Sequence, residues 1–286
     1  MSLAMAATYA LLRLRTPTTV SAESALATAR SRTAAPVTKK LKRVAHVEVD
    51  GPLVRLTPKT GASGSHVIYT HGGCYLYPIK TTHWDLLASL VEGSGASITV
   101  PLYPLAPDHT MDEAYALLET VYDEAASRYD RMFLAGDSAG GGLALGQALH
   151  YRDTGRPAPA AVILFSPWVD LTMSNPAIPE LAKRDRMLAA PGLVAAGQWW
   201  AGSHDPRTPL ASPLFGELAD LPPVHVFQGG YDLLAADTVE LVRRIRATGG
   251  EANLEFVEKA FHVYVGAPWT PEARASIRRF VGILRS

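Results

Sequence analysis

A serine stands between two glycines in the stretch GDSAG, residues 136–140, which fits the pattern G-x-S-x-G. In this pattern the serine lies on a tight turn from a strand into a helix, where its exposed hydroxyl can act as a nucleophile. The flanking residues agree, because 132–135 is a short apolar run and 143–149 is rich in leucine and alanine. The pattern therefore indicates nucleophilic attack by Ser138, and the alternative is an ordinary turn that needs small residues.

Two phosphate-binding loops also contain clustered glycines, and neither fits this stretch. A P-loop ends in Gly-Lys followed by Ser or Thr, and the dinucleotide fingerprint is G-x-G-x-x-G. Residues 140–145 read GGGLAL, so the last glycine of the fingerprint is missing and no lysine follows. A nucleophilic serine remains the better interpretation.

A serine hydroxyl needs a base to take its proton and an acid to orient that base. When the serine stands on such a turn, the chain order is serine, then acid, then histidine. Ser138, Asp232 and His262 follow this order, and His262 follows the last apolar run by a few residues. The acid has two rivals: Asp237 is the second choice, and Asp170 follows the apolar run after the serine.

The elements that must position these residues alternate along the chain. Apolar runs that fit strands are separated by segments of helical periodicity, and the runs are residues 66–70, 97–103, 132–135, 161–165, 224–228 and 253–258. This alternation predicts an α/β fold with a mostly parallel sheet covered by helices on both faces. Residues 44–57 add a predicted antiparallel hairpin at the sheet edge. Because ligands bind beyond the carboxyl ends of such strands, the three residues should meet at one edge.

We expect one domain over residues 1–286, with a catalytic core at about 44–171 and 209–286 and a helical cap at about 1–40 and 172–208. The second cap segment is too long for a simple connection. Trp199 and Trp200 point in different directions if they are helical. One could therefore contact a ligand while the other packs, or both could belong to the interior of the cap.

Charge and cysteine content limit the classes of binding partner and the cellular compartment that the sequence favours. Lys plus Arg equals Asp plus Glu at 27 each, which gives no strong field for nucleic acid. The single cysteine, Cys74, cannot form an internal disulfide, which fits a reducing compartment. No apolar run is long enough to span a bilayer, and the N-terminus lacks the charge order of a signal peptide. We expect a soluble, cytoplasmic protein.

A second glycine-rich loop, HGGC at residues 71–74, follows the first of the strand-like runs in the alternating part of the chain. Backbone N–H groups from such a loop and from the residue after the nucleophile stabilise the oxyanion of acyl transfer. Gly72, Gly73, Cys74 and Ala139 are the candidates for this oxyanion hole. Taken alone, the loop could also be an ordinary glycine turn.

Six motifs together resemble the hormone-sensitive-lipase-like esterases, bacterial family IV of the α/β-hydrolase superfamily, over about residues 44–286. They are HGGC (71–74), YPLAPDH (103–109), GDSAGGG (136–142), SPWVDLT (166–172), YDLL (231–234) and FHVY (261–264). The resemblance implies the α/β-hydrolase fold with a helical cap, a Ser138–Asp232–His262 triad, and neither cofactor nor metal. It implies a small-molecule ester as substrate, and family members are often homodimers.

The departures from the family concern one loop and one motif. Cys74 stands where the family usually has a third glycine, although cysteine keeps the backbone N–H. Leu102-Tyr103-Pro104 replaces the family's Asp-Tyr-Arg, which puts the local hydrogen bonding of that loop in doubt. Cys74 could also be proposed as a nucleophile, but no triad order supports it.

The sequence therefore predicts a serine carboxylesterase for short- to medium-chain esters, acting through an acyl-enzyme. A lactonase, deacetylase or amidase would use the same triad, and a ligand-binding protein on the same scaffold is the alternative outside enzymes. Tyr75, Trp199 and Trp200 are the candidates for the substrate pocket.

Overall fold

The computed structural model describes residues 1–286 and contains one eight-stranded sheet. The strands are β1 (Ala45–Asp50), β2 (Leu53–Pro58), β3 (His66–Thr70), β4 (Ser97–Pro101), β5 (Met132–Asp137), β6 (Ala161–Phe165), β7 (Val224–Tyr231) and β8 (Ala252–Phe261). Their order across the sheet is β1-β2-β4-β3-β5-β6-β7-β8. Only the β1–β2 and β2–β4 pairs are antiparallel. The predicted mostly parallel sheet is confirmed, and the predicted hairpin forms its edge.

Ten α-helices flank or cap this sheet. They are α1 (Leu3–Leu12), α2 (Ala22–Ser31), α3 (Lys39–Val44), α4 (Thr81–Ser94), α5 (Met111–Ala126), α6 (Ala139–Asp153), α7 (Ile178–Ala182), α8 (Ala190–Ala201), α9 (Ala235–Ala247) and α10 (Pro271–Arg285). Two short 3-10 helices lie at Pro213–Phe215 and Tyr264–Gly266. None of the helices is long and apolar enough to cross a membrane.

Both faces of the central strands are buried, which explains why these strands are continuously apolar. On β3, Val67 and Tyr69 face one core together with Trp84 of α4 and Phe280 of α10. Ile68 between them faces the opposite core, which α5, α6 and α9 cover. The period of two along the strand thus divides its side chains between two helix layers.

The segments outside the alternating part of the chain meet each other. The N–H of Ala189 donates to Oγ1 of Thr19 at 2.8 Å, and the N–H of Gly192 donates to the Thr19 carbonyl oxygen at 2.9 Å. Residues of α2 and α8 share a third buried cluster with the loops at the carboxyl ends of the strands. Helix α1 packs against α10 and β8, and the centroid of the Tyr9 ring lies 5.0 Å from that of Tyr231 at the end of β7. The Tyr9 hydroxyl also donates to the carbonyl oxygen of Arg184 at 2.7 Å, so α1 reaches the second segment as well.

Helix α6 approaches the end of β3 so closely that a side chain is excluded at one position. A Cβ added to Gly140 would lie 2.1 Å from the carbonyl oxygen of Thr70, which is backbone and cannot rotate away. Overpacking a tight contact costs about 1–3 kcal/mol and sometimes more. The turn at Ser138 and the loop after β3 are therefore locked together by backbone contact.

Replacing this glycine tests the contact. We expect Gly140→Ala to lower the free energy of unfolding by about 3 kcal/mol, at the upper end of overpacking costs, measured by urea denaturation. Gly282→Ala is the matched control, because Gly282 lies in α10 with nothing within 4 Å of an added Cβ. It should stabilise the protein by up to about 1 kcal/mol. Equal effects of the two substitutions would contradict the close contact.

Candidate active site

Ser138 occupies the turn between β5 and α6 with φ 54° and ψ −123°, a conformation that costs free energy for any residue except glycine. Three backbone hydrogen bonds hold it there. Its N–H donates to the Phe165 carbonyl oxygen at 2.9 Å, and its own carbonyl oxygen accepts from the N–H groups of Gly142 and Trp168 at 3.1 and 2.9 Å. The turn is thus fixed from three elements, and the strained serine is held by its surroundings.

Two side-chain hydrogen bonds connect Ser138, His262 and Asp232. Nε2 of His262 lies 3.0 Å from Oγ of Ser138, and Nδ1 lies 2.9 Å from Oδ2 of Asp232. A carboxylate only accepts, so Nδ1 carries the proton and Nε2 is free to accept one from the serine. All three side chains are buried. The structure therefore brings the three sequence-predicted residues together in the arrangement that a serine nucleophile requires.

The protonation of His262 depends on two opposing effects. Burial lowers the pKa of the imidazole, but the charge and hydrogen bond of Asp232, together with the charges of Asp185 and Asp137, raise it more, so the pKa lies above its ordinary value. A base with a raised pKa accepts the serine proton more readily, provided that it is neutral before the reaction.

Asp232 is itself oriented by partners that the sequence analysis did not identify. Nε2 of Gln228 donates to Oδ2 of Asp232 at 2.8 Å, and the N–H of Leu234 donates to Oδ1 at 3.0 Å. Gln228 is in turn fixed by Oγ1 of Thr238, which donates to its Oε1 at 2.9 Å. The only available signal was an amide at the end of an otherwise apolar strand.

The two rival acids lie in other networks. Asp170 accepts hydrogen bonds from the N–H and hydroxyl groups of Thr172 and Ser174. Asp237 accepts from Nδ2 of Asn175 at 2.8 Å. Neither carboxylate is hydrogen-bonded to His262.

Three of the four candidate oxyanion donors have a free backbone N–H group. The backbone N–H groups of Gly73, Cys74 and Ala139 make no hydrogen bond within the chain. Gly72 differs, because its N–H donates to Oδ1 of Asp137 at 3.0 Å and cannot also serve a substrate oxygen. The candidate set is corrected to Gly73, Cys74 and Ala139.

Cys74 adopts a left-handed backbone conformation with φ 57° in the position where the family usually has glycine. Its side chain is buried, and burial raises the pKa of the thiol to about 11. The thiol is therefore protonated at neutral pH, which makes it a poor nucleophile.

Asp137, the residue before the nucleophile, joins the two glycine-containing loops. Besides Gly72, its carboxylate accepts from the Tyr69 hydroxyl at 2.8 Å and lies 3.3 Å from Nε2 of His83. Nδ1 of His83 accepts the N–H of Lys80, so Nε2 carries the proton and donates to Asp137. Burial by itself raises the pKa of Asp137, but these hydrogen-bonding partners lower it by a larger amount. The net pKa lies below the ordinary value, so the carboxyl stays ionised.

Another buried carboxylate, that of Asp185, links the 172–208 segment to the loop that carries Asp232. Oδ2 of Asp185 accepts the N–H of Leu233, the residue after Asp232, at 2.9 Å. Oδ1 accepts the N–H groups of Met187 and Leu188 at 2.7 and 2.9 Å. Burial, together with the negative charge of Asp232, raises the pKa of Asp185 to about 6. Nothing in the sequence pattern marked this residue.

A cavity of about 470 Å³ opens at Ser138 and His262. Helix α1 and the residues that follow it form part of its wall, as do residues after β3 and before α10. Besides the triad residues, its lining includes Leu11, Leu12, Arg15, Gly73, Cys74, Tyr77, Lys80, Asp137, Met187 and Leu188. The chain has no group of three or more His, Cys, Asp or Glu residues placed to hold a metal ion.

The three aromatic residues predicted for the pocket do not line this cavity. Tyr75 and Trp200 are buried and stack on each other, with ring centroids 4.1 Å apart and an angle of 6° between the planes. Trp199 packs against the same buried cluster. These side chains therefore hold α8 against the loop after β3, and this corrects the expectation that they contact substrate.

Comparison with known proteins agrees with this geometry. A family defined by the α/β-hydrolase fold matches residues 67–266. The chain belongs to this family. This α/β-hydrolase is 31% identical to an acetyl-hydrolase from Streptomyces hygroscopicus, over 78% of this chain and 76% of the relative. It is 32% identical to the putative acetyl-hydrolase LipR from Mycobacterium tuberculosis, over 88% of this chain and 82% of that protein.

A solved structure extends the likeness to the whole α/β-hydrolase. An esterase from the bacterial hormone-sensitive lipase family superposes with a TM-score of 0.85 at 27% identity, over 100% of this chain and 98% of the other. The predicted fold and the predicted resemblance to this family are confirmed. The predicted enzyme class, a carboxylic ester hydrolase, agrees with the names of these proteins.

The pKa of His262 gives a prediction for the pH profile. We expect kcat/KM for an ester to rise with pH through a midpoint above about 6.5, the ordinary histidine value, because only the neutral ring accepts the serine proton. Asp232→Asn should lower the midpoint and reduce kcat by about ten-thousandfold. Asp237→Asn is the matched control and should leave the midpoint unchanged. A wild-type profile that is flat between about pH 5 and 8 would contradict the histidine base.

Proposed function

We propose that this α/β-hydrolase is a serine carboxylesterase that cleaves short- to medium-chain esters through an acyl-enzyme. The observation that carries the proposal is the pair of hydrogen bonds from Ser138 to His262 and from His262 to Asp232. Ser138 and His262 line a cavity of about 470 Å³, which is large enough for a small ligand because ligand sites commonly measure about 300–1,000 Å³.

The reaction follows from these positions. Oγ of Ser138 forms a bond to the ester carbonyl carbon while its proton passes to Nε2 of His262. The carbonyl oxygen becomes an oxyanion, for which the free N–H groups of Gly73, Cys74 and Ala139 are the available donors. His262 then gives its proton to the leaving alcohol oxygen as the carbon–oxygen bond breaks. Water repeats these steps on the acyl-enzyme and releases the acid.

The size of the substrate follows from what encloses the cavity. Leu11 and Leu12 of α1 line it on one side, and Met187 and Leu188 of the 172–208 segment line it on another. We propose that residues 1–40 and 172–208 act as the cap of a single catalytic domain over residues 1–286. Enclosure by these segments favours esters with short to medium acyl chains over long-chain triglycerides. The cytoplasmic location and the homodimer stay predictions.

A second candidate within the same chemistry is removal of acetyl groups, which the names of two relatives favour. Deacetylation, lactone opening and amide hydrolysis would all use the same nucleophile and base. A non-catalytic binding protein is less well supported, because nothing in a binding role requires His262 to lie 3.0 Å from the Ser138 hydroxyl.

Replacing the nucleophile tests the proposal. Ser138→Ala should reduce the hydrolysis of para-nitrophenyl butyrate by a factor on the order of a million, the loss measured for another serine hydrolase. A fluorophosphonate should label the wild type and the Cys74→Ala variant at Ser138, as shown by mass spectrometry of the peptide, but should leave Ser138→Ala unlabelled. Labelling that is lost in Cys74→Ala and kept in Ser138→Ala would contradict the assignment.

The role of α1 in enclosing the cavity gives a second test. Leu12→Trp adds volume to a side chain that lines the cavity, so the ratio of kcat/KM for octanoate over acetate should fall about tenfold. Leu14→Trp is the control, because Leu14 is 82% exposed and does not line the cavity. An unchanged acyl-length profile in Leu12→Trp would contradict the proposed cap.

A further inference from the structure

The cavity beside Ser138 contains a cation that no protein group neutralises directly. Lys80 lines the cavity, and its ammonium group lies within 4.0 Å of no carboxylate and makes no side-chain hydrogen bond. Its Nζ lies 5.7 Å from the centroid of the Tyr77 ring, which lines the same cavity. Lys80 therefore lines the same cavity as Gly73 and Cys74, and its ammonium group is free to contact a ligand bound there.

The surroundings of Lys80 are unusual for a lysine that is open to solvent. Lys80 keeps an accessible side chain, while the protein packed around it, together with the charge of Arg32, lowers the pKa of its ammonium group. The guanidinium of Arg32 packs over the same Tyr77 ring at 4.4 Å, so a second positive charge is close to Lys80. Two cations beside one ring, with no carboxylate paired to Lys80, attract an anionic ligand to this part of the cavity.

The acidic residues nearby are already engaged. Asp137 is the only carboxylate among the cavity-lining residues, and it is held by Tyr69, Gly72 and His83. The other charged side chain that lines the cavity is Arg15, which is exposed and forms no ion pair. The charged groups of the wall are therefore two cations without an ion pair and one carboxylate that is already hydrogen-bonded. The other ionisable side chains that line the cavity are those of His83, His262, Cys74 and Tyr77.

We propose that the cavity contains a carboxylate-binding subsite formed by Lys80 and supported by Arg15, and that the substrates are esters that carry a carboxylate away from the scissile bond. This inference rests on the proposed esterase function and names its substrate class. A charge-assisted contact to one lysine contributes enough to change kcat/KM by about tenfold or more. The subsite would select anionic monoesters over neutral esters of the same shape.

Two pairs of esters test the subsite and locate the charge. In the first pair the charge is on the acyl side: the mono-para-nitrophenyl ester of adipic acid against the ester in which an isopropyl group replaces the carboxylate. In the second pair it is on the alcohol side: para-acetoxybenzoate against para-isopropylphenyl acetate. In at least one pair the wild type should prefer the anionic ester. The ratio of kcat/KM within that pair should fall about tenfold in Lys80→Gln, the value expected for losing one charged contact.

The variants separate a local contact from the general field of the protein. Lys80→Arg keeps a cation and should keep most of the preference, whereas Arg15→Gln should reduce it by a smaller factor than Lys80→Gln. Arg13→Gln removes the same charge from an exposed position that does not line the cavity, so the ratio should not change. No preference for the anionic ester in either pair would overturn the subsite. So would a ratio unaffected by Lys80→Gln, or one that falls equally in Arg13→Gln.

A binding measurement separates failure of the subsite from failure of the proposed function. Titration calorimetry of the Ser138→Ala variant with the preferred anionic ester needs no turnover, and the double variant with Lys80→Gln should bind it about tenfold more weakly. If the protein binds the anionic ester selectively but the wild type does not hydrolyse it, the esterase proposal is wrong and the subsite is supported. If the wild type hydrolyses neutral esters and Lys80→Gln changes neither binding nor turnover, the esterase proposal is supported and the subsite is wrong.

Discussion

The contact between the nucleophile turn and the loop after β3 is the constraint on which the rest of the site depends. The two segments touch backbone to backbone, since neither Gly136 nor Gly140 leaves room for a Cβ beside the carbonyl oxygen of Thr70. Asp137 adds a side-chain connection through the N–H of Gly72. The attacking oxygen and the free N–H groups of the neighbouring loop therefore belong to one rigid unit. Their geometry is set before a ligand arrives, which is the condition for electrostatic stabilisation of a transition state.

Three buried carboxylates lie in or beside this unit, and each has a different set of hydrogen-bond partners. Asp137 is bound by a hydroxyl, a backbone N–H and an imidazole, whereas Asp232 relies on Gln228, Leu234 and His262. Asp185 has backbone N–H groups alone, and its pKa is raised. Buried charge is costly unless it is hydrogen-bonded, and Asp137 and Asp232 each accept bonds from side chains as well as from a backbone N–H. Only Asp232 combines full burial with a direct contact to the base.

The sequence was most informative where chemistry and backbone geometry coincide. The pattern G-x-S-x-G and the order of Ser138, Asp232 and His262 depend on local turn geometry and on the rule that parallel strands end at one edge, so the three positions followed from the chain alone. The N–H of Gly72 could not be assigned in this way, because its bond to Asp137 depends on the contact between two loops. Trp200 was misplaced for a similar reason: its helix could be identified from periodicity, but the face that packs on Tyr75 depends on how α8 docks.

Asp185 has a consequence for how this protein could be rebuilt. It belongs to the 172–208 segment, but one of its oxygens accepts the N–H of Leu233, which follows the triad acid. The segment is therefore not an independent module that can be exchanged for that of a relative. A transplanted segment without an acceptor at this position would leave the Leu233 N–H buried and unpaired, at a cost of about 1–3 kcal/mol located at the loop that orients Asp232. Chimeras at this boundary must keep the carboxylate together with the loop it binds.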